Sequence, residues 1–137
     1  MTETPVGAKG LFALVVEPEH LASRFKDSTL PAVLATPVMI MVMENAALNA
    51  IKPYLEPGES AVGTATDIRH VAPTPVSMQV VGEAEVTRVD GRRLEFRLHA
   101  TDQAEEIGTG IHQRVIVDLA RLAKRLDAKP ASSKSPA

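Results

Sequence analysis

The chain has 137 residues, of which 45% are hydrophobic, and its formal net charge at pH 7 is -2. This length is typical of one domain, and the near-neutral charge excludes a global field that would recruit nucleic acid or an anionic membrane. The sequence has no cysteine, which excludes disulfide scaffolds, thiolate nucleophiles and cysteine zinc sites. The N-terminal residues lack a secretory pattern, and no run of about 18 apolar residues occurs, so we expect a soluble cytoplasmic protein.

The first half of the chain contains one predicted strand and one long predicted helix. The strand lies in GLFALVVEP and ends at Pro18. The amphipathic segment EHLASRFKDSTLPAVLA follows, and Pro31 within it predicts a short helix or a mobile loop. Thr36 before Pro37 is typical of an N-cap and a first helical residue, so a helix of roughly four turns is predicted from there to the Lys52-Pro53 pair. Because this helix is apolar nearly all the way round, we expect it to be buried on most sides.

The remainder of the chain predicts four strands joined by short connections. The alternation in SAVGTATDIRHV places five side chains on one side, namely Val62, Thr64, Thr66, Ile68 and His70. The stretches VSMQVVGEAEVTRV and RLEFRLHAT are joined at Asp90-Gly91, a strong hairpin signal, and EEIGTGIHQRVIVDL is the last strand. Short connections predict that consecutive strands are antiparallel neighbours.

These elements predict an α+β fold in which one long helix packs on a curved antiparallel sheet. A monomer of this kind would leave a sheet edge and part of the helix exposed, so at least a dimer is expected. The compact domain is predicted over residues 1–126. Residues 127–137 are small, polar and proline-bearing, which predicts a disordered tail.

Glu44 is the most unusual residue of the predicted helix, because apolar residues surround it in the sequence. An ionised carboxylate in such a place needs partners, or its pKa rises until it is neutral. Two interpretations stay open at this point. Glu44 is either a structural residue bonded to backbone, Asn45 or Asn49, or a carboxylate held for nucleophilic or general-base chemistry.

Thr36 and His70 are the other two candidates for chemistry. A threonine at the positive end of a helix can cap it and also lie where developing negative charge is stabilised. His70 faces the predicted core, but Pro73 and Pro75 end its strand just beyond, so it is either a structural residue or one that a ligand reaches. Thr36 and Glu44 are about 12 Å apart along a helix. A joint site therefore needs a substrate between them or a second chain.

The remaining histidines lack such a context, and His20, His99 and His112 are predicted to be surface or packing residues. The four histidines show no metal-ligand spacing, so no metal site is predicted.

The stretch MVMENAALNAIKPYLEPGESAVGTATDIRHVAPTP and the later DGRRL and EIGTGIHQR resemble, as an ordered set, the hot-dog-fold thioesterases and especially the fluoroacetyl-CoA thioesterase family. The resemblance covers roughly residues 35–118. It implies a hot-dog fold, in which a curved antiparallel sheet wraps around one long central helix. The family's catalytic threonine, glutamate and histidine fall on Thr36, Glu44 and His70, and two residues associated with its substrate pocket fall on Gly63 and Arg114.

The activity that the resemblance implies is hydrolysis of an acyl-CoA thioester to a carboxylic acid and free CoA, without a cofactor because CoA is part of the substrate. It also implies a homodimer, or a dimer of dimers, with its sites at the interface. Arg92, Arg93 or Arg97 would meet the CoA phosphates through charge-assisted bonds.

The segment before the helix departs from the family pattern. The fluoroacetyl-CoA enzyme carries lid phenylalanines there, whereas this chain has Leu30 near one such position and no aromatic residue between Phe25 and Thr36. We therefore expect another, short or medium, acyl preference. The alternatives are a non-catalytic protein of this fold that binds acyl-CoA or another small molecule and, ranked lower, a hydratase that uses an acid and a histidine.

Overall fold

The structure is a computed structural model that describes residues 3–130. Within these residues the chain forms five strands, which are β1 (Lys9–Val15), β2 (Glu59–His70), β3 (Gln79–Asp90), β4 (Arg93–Thr101) and β5 (Glu106–Asp118). The helices of the same range are α1 (Ala22–Phe25), α2 (Thr36–Ile51) and α3 (Leu119–Ala128), with single 3-10 turns at Pro18–His20 and Lys52–Tyr54. None of these helices is long and apolar enough to span a membrane.

The described strands form one antiparallel sheet in the order β1-β3-β4-β5-β2. The β3–β4 hairpin turns where Asp90-Gly91 predicts it, and Gly91 has a φ of 60°, which suits a residue without a Cβ. The expectation that consecutive strands are neighbours is wrong for β2 and β3. Residues 71–78 carry the chain to the other edge of the sheet, where Ser77 N–H donates to Val16 O. Local alternation cannot reveal this crossing, because it identifies strands but not their partners.

Helix α2 packs across one face of the sheet and supplies much of the core. Of its 16 residues only Thr36, Pro37 and Met41 are exposed, as the apolar sequence predicts. Strand β4 contributes the four buried residues of its alternating pattern, Leu94, Phe96, Leu98 and Ala100. Strand β1 lies so close to α2 that a Cβ on Gly10 would collide with the Ala46 carbonyl oxygen and the Ala50 nitrogen.

The start of α2 differs from the expectation that Thr36 is its N-cap. Ala35 is the N-cap, because its carbonyl accepts the first helical bonds, from Val38 N at 3.0 Å and Met39 N at 3.1 Å. Ala35 is extended, and its own N–H donates to His20 O. The chain therefore enters the helix one residue earlier than expected, and Thr36 is the first helical residue with its hydroxyl directed elsewhere.

The face assignment in β2 is also partly wrong, because a β-bulge lies at Thr64. Gly63 pairs with Arg114 and Ala65 pairs with Gln113, so Thr64 is the extra residue. A bulge reverses the alternation, and the residues that face α2 are therefore Ala61 and Gly63 before it and Thr66, Ile68 and His70 after it. Val62, which is 38% exposed, and Thr64, whose hydroxyl donates to Gln113 O, lie on the other side.

Helix α3 was not predicted from the sequence. Asp118 caps it by accepting a hydrogen bond from Arg121 N at 3.0 Å, and no residue of this helix is buried in the described structure. The helix includes Asp127 and Ala128, which the sequence placed in a disordered tail. Residues 131–137 of that predicted tail lie outside the described residues. The domain boundary at residue 126 stays a prediction.

Candidate active site

Thr36 and His70 form a hydrogen-bonded pair between the first residue of α2 and the last residue of β2. Thr36 Oγ1 lies 2.8 Å from His70 Nδ1. The two elements meet because the segment after β2 is tied to the segment before α2, where Leu34 N–H donates to Thr74 O at 2.8 Å. A hydroxyl and an imidazole at this distance have the geometry of a nucleophile or proton donor beside its base.

The protonation of His70 follows from its surroundings. Burial lowers the pKa of His70 below its ordinary 6.5, and a backbone interaction with Ala72 only partly opposes this effect, so the imidazole is neutral at pH 7. A neutral imidazole carries one N–H. When Nδ1 accepts the Thr36 hydroxyl hydrogen, that N–H is on Nε2, a buried atom without a hydrogen-bond partner among residues 3–130.

A cavity of about 350 Å³ adjoins the Thr36–His70 pair. Leu30, Pro31 and Val33 from the segment before α2 form part of its wall, and Lys26 also lines it. Pockets of about 300–1,000 Å³ with apolar walls and few polar groups are typical of small-molecule sites. The cavity can therefore take an apolar group whose polar end meets Thr36 and His70.

Glu44 lies in a second cluster, between α2 and the edge strand. Its Oε2 accepts a hydrogen bond from Thr66 Oγ1 at 3.1 Å and lies 4.0 Å from His112 Nδ1, and its side chain is 35% exposed. Its neighbours on the helix bond elsewhere, since Asn45 Nδ2 contacts Met41 S and Asn49 Nδ2 donates to Leu11 O. Neither asparagine is the partner that a structural Glu44 was expected to have.

Gly63 and Arg114, the predicted substrate-pocket residues, belong to this Glu44 cluster. A Cβ on Gly63 would lie 3.2 Å from His112 Cε1 and 3.7 Å from Glu44 Oε2, so the absence of a side chain makes room for both groups. The Arg114 guanidinium donates to the backbone oxygens of Ala61 and Glu44 and contacts His112 Nε2. Burial lowers the pKa of Arg114, and the Glu44 carboxylate opposes this. Arginine stays charged in any case.

The five candidate residues therefore fall into two groups within one chain. Thr36 contacts His70, while Gly63 and Arg114 surround Glu44, and no contact between the two groups occurs in the described residues. Eight residues of helix separate Thr36 from Glu44, a rise of about 12 Å. A single active centre that uses both groups therefore needs substrate or a second copy to join them.

Two residues of the Glu44 cluster were missed at the sequence level. His112 was assigned to surface or packing but is 0% exposed and contacts Thr66, Ala65 and Arg114 through both ring nitrogens. Thr66 was treated only as a member of an alternating strand. The signal for His112 was its spacing, because positions 112 and 114 share one face of β5 and Arg114 was already a candidate.

Other surface features lie away from Thr36, His70 and Glu44, although Arg114 lines a small cavity of about 180 Å³ together with Arg93 and Thr64. A cavity of about 690 Å³ lies on the sheet face away from α2, where Arg97 pairs with Glu85 at 3.1 Å. Arg92 pairs with Glu59 at 3.3 Å. A role for these arginines in binding CoA phosphates stays a prediction.

The chain is similar in sequence and structure to known thioesterases. A model of the fluoroacetyl-CoA-specific thioesterase family matches residues 16–120. The fluoroacetyl-CoA thioesterase of Streptantibioticus cattleyicolor is 42% identical over 99 residues, which is 72% of this chain and 71% of that protein. A crystal structure of a mutant fluoroacetyl-CoA-specific thioesterase with fluoroacetate and CoA has a TM-score of 0.81 at 37% identity, covering 86% of this chain and 98% of that one. A hot-dog-like protein from Thermanaerovibrio acidaminovorans shares the fold, with a TM-score of 0.81 at 22% identity over 93% of this chain and 94% of that one.

Proposed function

This chain belongs to the fluoroacetyl-CoA-specific thioesterase family, and from that premise we propose how its hot-dog fold hydrolyses an acyl-CoA thioester. The products are a carboxylic acid and free CoA. The single observation that carries the assignment of the site is the 2.8 Å contact between Thr36 and His70 at the wall of a cavity of about 350 Å³. It supports a thioester carbonyl beside these two residues, with the acyl group in the cavity.

His70 acts on the carbonyl oxygen in this proposal. Thr36 donates to Nδ1 and so keeps the imidazole N–H on Nε2, the atom without a partner in the described residues. That N–H is buried in the chain without substrate. In this proposal it donates to the thioester oxygen, as the oxygen gains negative charge, once substrate binding has displaced the side chains that cover it. Fixed donors aimed at a developing oxyanion are among the strongest contributions to acyl-transfer catalysis.

Glu44 activates the water. Its Oε2 is held by Thr66, while its side chain stays 35% exposed, so the carboxylate can accept a hydrogen bond from a water molecule. The water oxygen bonds to the acyl carbon as its proton moves to Glu44. The C–S bond then breaks, and Glu44 returns this proton to the CoA sulfur while the N–H of His70 stays on the carbonyl oxygen. The reaction uses the chain's own side chains and water, without a cofactor.

A second copy of the chain completes the centre. Strand β2 is an edge strand that pairs only with β5 in the described residues, and its positions 62–67 are exposed. An exposed edge of this length is a template for pairing with another strand. We propose a homodimer in which Thr36 and His70 of one protomer work with Glu44 of the other. A further pairing of dimers and a cytoplasmic location stay predictions.

The acyl group is short or medium in length and differs from fluoroacetyl. Leu30, Pro31 and Val33 line the cavity where the family's fluoroacetyl-CoA enzyme is expected to have lid phenylalanines. These smaller side chains leave room for a longer apolar chain than an aromatic lid would.

The experiment is thiol release from a series of acyl-CoAs of increasing chain length, measured for the wild type, Glu44→Gln and His70→Ala. We expect both variants to lose at least about 100-fold in kcat/KM, because each removes a group that acts in the transition state. His99→Ala, a strand histidine outside both clusters, is the matched control and should keep wild-type activity. Equal turnover by the wild type and both site variants would refute the site.

A non-catalytic acyl-CoA-binding protein on the same fold would give a different result. It would bind the thioesters saturably without releasing thiol from any of them. A hydratase would convert an enoyl-CoA without thiol release, so the same series with one enoyl-CoA added separates the three functions.

A further inference from the structure

We infer that Arg114, His112 and Thr66 form a directed hydrogen-bond chain that orients the Glu44 carboxylate, so that His112 and Thr66 are positioning residues for the reaction. This inference rests on the proposed role of Glu44. These hydrogen bonds run from β5 to the edge strand β2 and end on α2. They connect Arg114, through His112 and Thr66, to the Glu44 carboxylate.

The direction of the chain follows from which atoms can donate. Arg114 Nη1 lies 3.1 Å from His112 Nε2, and because a guanidinium only donates, Nε2 must be the accepting nitrogen. The imidazole N–H is therefore on Nδ1, which lies 2.9 Å from Ala65 O and 2.9 Å from Thr66 Oγ1. A carbonyl oxygen only accepts, which requires the same tautomer. The contacts of both ring nitrogens therefore require the same tautomer of His112.

The Thr66 hydroxyl extends this series of hydrogen bonds to Glu44. Its hydroxyl oxygen shares the single His112 Nδ1 hydrogen with Ala65 O, and its own hydrogen is then donated to Glu44 Oε2 at 3.1 Å. One carboxylate oxygen is thereby fixed, and the other is left for water or substrate. A donor held by a second hydrogen bond and aimed at a charged acceptor favours a single orientation of both partners.

Burial makes this arrangement specific. His112 is 0% exposed and lies against the ring of Phe96, with ring centroids 5.8 Å apart. A buried polar ring without partners would be costly, but both of its nitrogens are satisfied here. Gly63 provides the space, because a Cβ there would lie 3.2 Å from His112 Cε1.

Arg114 has a positioning role in this arrangement. Its contacts to Ala61 O, Glu44 O and His112 engage four of the five N–H groups that a guanidinium has. The side chain is thus committed to holding β2, α2 and His112 together. It acts on the substrate through Glu44.

The test compares Thr66→Val, which removes the hydroxyl with little change of shape, with Thr66→Ser, which keeps it. We expect Thr66→Val to lower kcat about 10- to 100-fold with KM changed less than about threefold. The variant lacks a hydrogen bond that orients the charged Glu44 for the chemical step but does not contact the substrate. Thr66→Ser should stay within about threefold of the wild type. Thr64→Val is the matched control on the same edge strand, because its hydroxyl bonds only Gln113 O in the described residues, and it should keep full activity.

A double-mutant cycle with His112→Asn distinguishes a connected hydrogen-bond chain from residues that each stabilise the fold independently. Once Thr66→Val has cut the link to Glu44, adding His112→Asn should lower kcat little further, whereas independent structural roles predict that the two losses multiply. If Thr66→Val keeps the wild-type kcat while Glu44→Gln is inactive, this inference is wrong and the proposed role of Glu44 still holds. The same conclusion follows if the kcat losses of Thr66→Val and His112→Asn multiply in the double variant. Wild-type activity of Glu44→Gln overturns the proposed role of Glu44 and this inference with it. Thermal melts of each variant identify any loss that comes from unfolding.

Discussion

The two histidines of the candidate site, the buried His112 and the half-buried His70, have different surroundings but the same protonation state. Nδ1 of His70 faces the Thr36 hydroxyl, while Nε2 of His112 faces a guanidinium. Burial lowers the pKa of His112 below its ordinary 6.5, and the Arg114 charge lowers it further against the opposing effects of Ala65 O and Glu44. Both imidazoles are therefore neutral in the folded protein at pH 7. Their different hydrogen bonds, and not their charge, separate their roles.

The lowered pKa values of His70 and His112 predict that acidification destabilises the fold. Below pH 6.5, the ordinary value, the unfolded chain takes up protons that the folded chain does not, so stability is full above 6.5 and falls as the pH drops towards the folded pKa values. The slope is at most about 1.4 kcal/mol per pH unit for each histidine. Urea unfolding at about pH 7.5 and about pH 5.5 measures it. A His112→Asn variant should show a shallower dependence, and greater stability of the wild type at the lower pH would be contrary to this prediction.

At the scale of the elements, the packing of β1 on α2 sets how closely the helix lies against the sheet. Gly10 permits this approach, because its position faces the backbone of Ala46 and Ala50 directly. The neighbouring Leu11 points to the other side of the sheet and is 59% exposed. Within β1, position 10 therefore cannot accept a larger side chain, whereas position 11 can.

Gly10→Ala is predicted to destabilise the fold, because the new Cβ would collide with helix backbone that cannot rotate away. Overpacking of a core typically costs about 1–3 kcal/mol, and we expect the upper end of that range here. Leu11→Ala, on the exposed side of the same strand, should change the free energy of unfolding by less than about 1 kcal/mol. Thermal or urea unfolding of both variants provides the comparison, and equal stability of Gly10→Ala and the wild type would show that β1 and α2 are not in tight contact.

Elements with a strong local pattern were predictable from the sequence, and those decided by distant contacts were not. The alternation around Phe96 and the Asp90-Gly91 turn have local causes, and both are found as expected. The bulge at Thr64 and the crossing from β2 to β3 depend on which strand lies alongside, which periodicity does not encode. The candidate site residues came from a resemblance and stay predictions, whereas the contacts of the buried His112 became visible only from its neighbours in space.

For the assembled protein, the proposed homodimer would account both for the separation of the two groups of candidate residues and for the exposed edge strand. Helix α2 holds Thr36 and Glu44 about 12 Å apart along its axis. A two-fold partner added at β2 would bring a second set of the same residues to the interface. The proposed centre then has one half from each protomer.

Complementation between inactive protomers tests this arrangement. When Glu44→Gln and His70→Ala chains are unfolded together and refolded, about half of the dimers should be mixed, each with one intact centre, which gives about a quarter of wild-type thiol release. Separately refolded samples mixed afterwards are the control and should stay inactive until protomers exchange. A jointly refolded sample without activity would mean that each centre is built within one chain.

The most direct measurement of the central claim follows binding and thiol release together for the wild-type chain and an acyl-CoA of short or medium length. The account predicts stoichiometric release of free CoA and of the corresponding carboxylic acid, with repeated turnover. Saturable binding of every thioester in the series, with the thioester recovered intact, would contradict it.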